Sequence, residues 1–293
     1  MIVRNLAPSA LALAVGLAGA TGQASAEPAP AKVVPPPRVI HVPTARMLPA
    51  GKLHATGGVN HKKGVSAIFT GGLAGVAELE VGLSDELQTC VSDGNGPCTG
   101  PEDRKHVYPL VAGFKVGVNQ GTWAKYQPAI ALGYRKTFGG KSLSWGTDGS
   151  VLDPRYKLAQ LYLVASLDVG AGLSFHGGAS LWAARHDSAV TPGEEIDLPG
   201  PNPNAGKVSG QTLCALGAME YTPSLYPKTT MMIDVACAVD LEAANSTLRL
   251  LAGLGARYQA LDWGSIELDV RYREGDGLSG MVVMVRINGV FPR

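Results

Sequence analysis

The sequence is poor in aromatic residues (6%) and in charge (17%), and carries only 4 cysteines among 293 residues. It has no surplus of either sign, with 25 Lys+Arg against 24 Asp+Glu. A nucleic-acid binder needs a basic excess to neutralise phosphate, so that class is excluded. An acidic disordered chain is excluded by the 45% hydrophobic content, which is enough to build a core. Beyond the first twenty residues no apolar run reaches the length of a spanning helix. The C-x₂-C and H-x₃-H spacings of a zinc site are absent, and neither metal nor cofactor is expected. Glycine is the residue in excess: 38 of them, about twice the usual ~7% share and too dispersed for a linker.

The N-terminus reads as an address. Arg4 precedes an apolar run from Leu6 to Ala20, and Ala24-Ser25-Ala26 precedes Glu27. This is the pattern of a signal peptide, residues 1–26, cleaved at an A-x-A site. No cysteine lies near the cleavage site, so no lipid anchor is indicated. Residues 27–51 hold seven of the 20 prolines, including Pro35, Pro36 and Pro37. Such density favours extended chain, and this stretch is expected to be a periplasmic tether, a spacer or a docking strand for a partner. An exported chain meets an oxidising compartment, where cysteines pair. Cys90 and Cys98 bracket a turn-rich loop and are expected to form a disulfide. Cys214 and Cys237 fall on two arms of one hairpin. A turn centred between Leu225 and Tyr226 sets them opposite each other, yet the alternation of their strands points them to opposite faces, and their pairing stays open.

From Lys52 onward the chain alternates with period two, the signature of half-buried strands. Along Ser265–Arg273, Ile266, Leu268, Val270 and Tyr272 point one way, and Ser265, Glu267, Asp269, Arg271 and Arg273 the other. Twelve such segments occur, at 52–60, 65–73, 76–84, 107–119, 126–138, 156–168, 172–186, 209–222, 229–241, 247–260, 264–274 and 280–291. The fold class is therefore all-β, an antiparallel up-and-down barrel over 52–291. Alternation alone does not say which face meets solvent. Three features choose a membrane barrel over a secreted soluble barrel. The polar face carries formal charge on many strands, which suits a wet lumen. The links after even-numbered strands are short, while those at 85–106, 139–155 and 187–208 are long, as in barrels with brief periplasmic turns and long external loops. Trp123, Tyr226 and Trp263 sit in or beside the short turns, where amphipathic rings favour the membrane–water boundary.

The leader, the alternating segments and a last strand ending in Phe291 resemble bacterial outer-membrane β-barrel proteins, porin-like ones included. Such proteins often close on a strand with a terminal aromatic; here Pro292 and Arg293 follow it. The resemblance implies the outer membrane of a Gram-negative bacterium, both termini in the periplasm, and outer-membrane lipid as surroundings. More weakly, through Pro43–Gly51, the chain resembles small barrels of polysaccharide-export or gliding-motility assemblies, which implies periplasmic or outer-membrane protein partners.

The lumen-facing charges balance. Lys52, Lys115, Arg135, Arg249, Arg257, Arg271, Arg273 and Arg286 stand against Glu78, Glu80, Asp168, Glu220, Asp234, Asp240, Glu267 and Asp269. Hairpin arithmetic sets Arg257 and Arg286 on either side of Glu267, an ion-pair cluster that narrows the pore or guides charged solute. Asp168, Ser174 and His176 fall close together, but no nucleophile turn or oxyanion site accompanies them, and no enzyme is expected. Asp93, Asn95, Glu102 and Asp103 read as loop polarity rather than a calcium site. Two functions remain: a non-enzymatic component of an envelope-spanning assembly, and a stand-alone channel for small polar solutes.

Overall fold

The computed structural model describes residues 36–62, 64–83, 87–90, 104–107, 110–138, 155–187, 207–240, 247–275 and 277–291. Twelve antiparallel strands close into one barrel. They are β1 (Leu53–Asn60), β2 (Val65–Leu73), β3 (Ala77–Leu83), β6 (Leu110–Val118), β7 (Ala129–Phe138), β8 (Arg155–Gly170), β9 (Leu173–Asp187), β10 (Lys207–Tyr221), β11 (Thr229–Asp240), β12 (Thr247–Leu261), β13 (Gly264–Arg273) and β14 (Val282–Phe291). β14 closes on β1, with Leu53 opposite Phe291 and Asn60 opposite Met284. A separate two-stranded hairpin, β4 (Leu87–Cys90) with β5 (Arg104–Val107), lies within the first long loop, which the alternation pattern had not divided.

The sign of the barrel is plain in its two faces. Val59, Phe69, Leu79, Leu163, Leu254 and Ile266 are exposed on the outside. His54, Thr70, Glu78, Lys115, Asp234 and Glu267 are buried on the inside. A soluble barrel would invert this arrangement; apolar-out and polar-in is the arrangement that lipid selects. Trp123, Tyr126, Tyr226 and Trp263 are exposed at the short-turn end, where β1 begins and β14 ends. The tight hairpins need left-handed backbone at both central positions. Ala74 (φ 53°) and Gly75 (φ 70°) join β2 to β3, and Ala171 (φ 49°) and Gly172 (φ 76°) join β8 to β9.

One seam departs from the regular ladder. β10 and β11 pair only from Gly217↔Val235 to Tyr221↔Met231, although both strands continue beyond. Just past the split, Cys214 and Cys237 form a disulfide across a Cα–Cα distance of 6.0 Å. The register puts Ala215, not Cys214, level with Cys237. The opposite-face objection fails here because the ladder that would enforce it has ended. Freed strands let a diagonal pair approach within normal bridging distance. Cys98 and the side chain of Cys90, the other expected pair, lie outside the described residues, as do the Asp240 side chain and the acidic residues of the first long loop.

Candidate functional site

Residues 36–49 do not extend away from the barrel as a spacer. They occupy its lumen. Val39, Ile40, Val42, Thr44, Ala45 and Leu48 are almost wholly buried. The local reason is in the composition: Val39, Ile40, Val42, Met47 and Leu48 are apolar, and a solvated spacer has no use for them. The segment has no helix or long strand to satisfy its own backbone, so each buried N–H and C=O needs an outside partner. Pro36, Pro37, Pro43 and Pro49 reduce that demand, since proline has no N–H. A small turn, with Val39 N–H donating to Val42 O (3.0 Å) and Thr44 N–H to Pro37 O (2.9 Å), satisfies two more donors.

The walls supply further partners, from nearly every side. On β11, Asp234 accepts three successive backbone N–H groups, those of Ile40 (3.2 Å), His41 and Val42 (3.0 Å), and faces the His41 ring nitrogen at 3.0 Å. On β6, Lys115 donates to the carbonyls of Thr44 (3.1 Å) and Arg46 (2.9 Å) while paired to Glu78 at 2.8 Å. Glu78 accepts Leu48 N–H (2.6 Å), Asn119 accepts Met47 N–H (3.1 Å), and Ser166 accepts Ala45 N–H (2.8 Å). On β14, Arg286 donates to Ile40 O at 3.3 Å. Space is made by missing side chains. A Cβ at Gly72 would lie 2.4 Å from Pro49 O, and one at Gly253 would lie 2.4 Å from Asp234 and 3.0 Å from Ile40.

Two arginines fasten the segment through ion pairs. Arg38 pairs with Glu80 at 3.0 Å, and Glu80 also holds Arg135 at 2.9 Å. Arg46 reaches Glu220, Asp168 (2.6 Å) and Ser174 (2.7 Å). Burial pulls the Arg46 pKa down, but the fields of Glu220 and Asp168 outweigh it and hold the guanidinium above its ordinary value. The apolar side of the segment packs on an apolar strip of wall: Val42, Ala45 and Met47 cluster with Ala131, Val164, Leu216 and Ala236. Val39 and Ile40 pack on Met232.

Many of the charges singled out from the sequence stand in the wall around this segment, whereas Arg249 donates to the Glu274 carbonyl at 3.2 Å. Arg257 lies opposite Glu267 across β12 and β13, and Glu267 opposite Arg286 across β13 and β14. Arg257 Nε donates to Glu267 (3.0 Å), and Arg286 pairs with Glu267 at 2.6 Å. The cluster is wider than three residues. Arg257 also donates to Glu220 (3.0 Å), Arg286 pairs with Asp269 (2.7 Å), and Arg271 donates to Asp269 (2.6 Å). Glu78, Glu80, Lys115 and Arg135 form a second group on β3, β6 and β7. Lys52 stands half-buried where the chain enters β1. Sequence reasoning put Asp234 and Glu220 among sixteen lumen charges with no special place; they are the main acceptors for the segment. Arg38, His41 and Arg46 were not singled out at all.

His176 takes partners other than its near neighbours. Its Nδ1 is 2.7 Å from Ser166 Oγ and its Nε2 is 3.2 Å from Glu220, whereas Ser174 donates to Asp168 at 2.6 Å. Ser166–His176–Glu220 has the connectivity of a hydrolytic relay. Its hydroxyl already accepts Ala45 N–H, and its carboxylate already serves Arg46 and Arg257. It braces the segment. Among the described residues no His/Cys/Asp/Glu group could hold a metal.

No protein-family profile matches the chain, and no curated protein sequence is similar to it. Solved structures are similar in fold. An outer-membrane channel of Pseudomonas putida F1 aligns with TM-score 0.52 and 10% identity, covering 84% of this chain and 98% of that one. The porin NanC aligns with TM-score 0.48 and 8% identity, over 82% and 99%. The porin KdgM, in complex with oligogalacturonate, aligns with TM-score 0.42 and 8% identity, over 83% and 99%. At these identities the likeness carries the fold alone. The chain is a closed, twelve-stranded, antiparallel barrel, similar in fold to the outer-membrane channel of Pseudomonas putida F1.

Proposed function

We propose that the chain is a gated, non-enzymatic channel of a Gram-negative outer membrane, exported through a cleaved signal peptide, which small polar solutes cross when residues 36–49 leave the lumen. The observation that supports it is the way the lumen is filled. Fixed closure is best built from interlocked apolar bulk, as in a protein core. This lumen is instead closed by a length of coil, held largely by hydrogen bonds and ion pairs to walls that carry both signs of charge. Each such contact contributes only about 1–3 kcal/mol, since water replaces it on release. The surface uncovered by release would be polar and wettable over most of the wall, beside one apolar strip of Ala131, Val164, Leu216, Met232 and Ala236.

The same filled lumen favours a second reading: a non-conducting barrel that serves as an anchor in an envelope-spanning assembly of the polysaccharide-export or motility kind. Single-channel recording in planar bilayers separates the two. The purified full chain should be nearly silent, with rare openings, and Arg46→Ala should raise open probability without loss of folded barrel. A folded Arg46→Ala protein that is as silent as the parent would discard the channel and leave the anchor.

A further inference from the structure

A cavity of about 30 Å³ lies between the tip of the lumen segment and the wall formed by β1, β2, β13 and β14. By this measure a water needs roughly 10–15 Å³, so the cavity has room for about two waters or one carboxylate group. Pro36, Arg38 and Ile40 form its segment side, and Ser66, Arg286 and Asn288 stand in its wall with Arg271 and Glu267. Asn288 is only 5% exposed. Thr56 Oγ donates to its Oδ1 at 2.9 Å, which orients the amide and leaves Nδ2 with no hydrogen-bond partner. A buried amide N–H without an acceptor costs free energy, and here that donor belongs to a residue lining an open space. Three guanidiniums and one carboxylate line the cavity, with Asp269 behind Arg271 and Arg286 and Glu80 beyond Arg38.

We infer that this cavity is a binding site for a small carboxylate anion, and that its occupancy loosens the lumen segment. The anion accepts from Asn288 Nδ2 and from Arg286. Arg286 meets Asp269 at 2.7 Å and Glu267 at 2.6 Å, but Ile40 O at 3.3 Å. The carbonyl is its longest contact and the one a carboxylate in the cavity displaces at least cost. The segment then loses its only hydrogen bond to β14 among the described residues. The inference rests on the channel reading: a solute bearing a carboxylate would favour opening of the route it takes.

The test compares sodium acetate with sodium chloride at equal ionic strength, on the folded full chain. Two readouts are taken: the melting temperature of the barrel and its open probability. Asn288→Leu and, should that variant fail to fold, Ser66→Ala are compared with the parent, and Arg46→Ala serves as the independent check that the channel opens. Acetate should raise the melting temperature and increase openings severalfold in the parent, and should do neither in the cavity variant. An unchanged parent in acetate, with Arg46→Ala conducting, would make the cavity a solvent pocket and overturn the site while the channel stands. An equal acetate response in parent and variant would place the anion elsewhere and overturn it too. Silence of folded Arg46→Ala would remove the channel reading and the loosening role with it.

Discussion

Single side chains decide whether the lumen stays shut. Asp234 serves three successive N–H groups, a concave array of donors that suits one carboxylate. Asp234→Asn keeps the shape and removes the charge. Bonds to a charged acceptor are worth roughly 1.5–3 kcal/mol against about 1 for neutral ones, so the released population should rise about tenfold. Open probability, or reactivity of a cysteine placed at Val42, reads this directly. Glu267→Ala behaves differently. Arg257 keeps Glu220 and Arg286 keeps Asp269, so the loss in stability should sit near the lower end of the ~3–5 kcal/mol for breaking a buried pair. Any conductance should change, because the wall charge beside the segment has changed. A Glu267→Ala protein with unaltered stability and unaltered conductance would remove the cluster from the account.

At the scale of elements, the β10–β11 seam and the tight turns carry their own predictions. The disulfide Cys214–Cys237 closes a chain segment of sequence separation 23 just where the ladder stops. Loop closure of that length is worth roughly 3 kcal/mol. Reduction should lower the melting temperature and increase hydrogen exchange along β11 more than along β12; equal exchange on both strands would mean that the bond does not hold the seam. At the turns, Ala74 and Ala171 adopt left-handed backbone at about 1–2 kcal/mol each. Ala171→Gly should therefore stabilise the barrel by up to about 1 kcal/mol, less the entropy that glycine gives the unfolded chain.

For the whole molecule, the membrane is the solvent that makes sense of the pattern. Leu254 lies midway along β12 and is 63% exposed on the outer face, beside Ile233 and Val270. Leu254→Arg should cost about 2–4 kcal/mol if lipid surrounds that face. The same change in a water-exposed strand would cost little, so folding yield in vesicles against detergent distinguishes the two. The strands were legible because each one states its own two-sided environment residue by residue, and a register follows once a turn is fixed. Arg257, Glu267 and Arg286 were legible for that reason, since the hairpin loops at 262–263 and 274–281 are short enough to set the pairing.

Residues 36–49 were not legible in the same way. Their prolines correctly denied them a helix, but proline density says only that a chain is extended, not where it lies. The apolar residues between the prolines were the available signal. A spacer in water is polar, and Val39-Ile40-His41-Val42 is not. The lumen contacts could not be inferred, because Arg46 with Glu220 and Ile40 with Asp234 are separated by 174 and 194 residues. No local rule fixes partners so distant. The sequence by itself determined the number of barrel strands, because each is written in a period of two, and the apolar-out face, because charge on the alternate face and the parity of loop lengths select it. Only the tertiary structure decided that the lumen is filled and that β10 and β11 part above Gly217. It also decided which carboxylates hold the filling, because closure of the barrel brings twelve separate strands around one short segment.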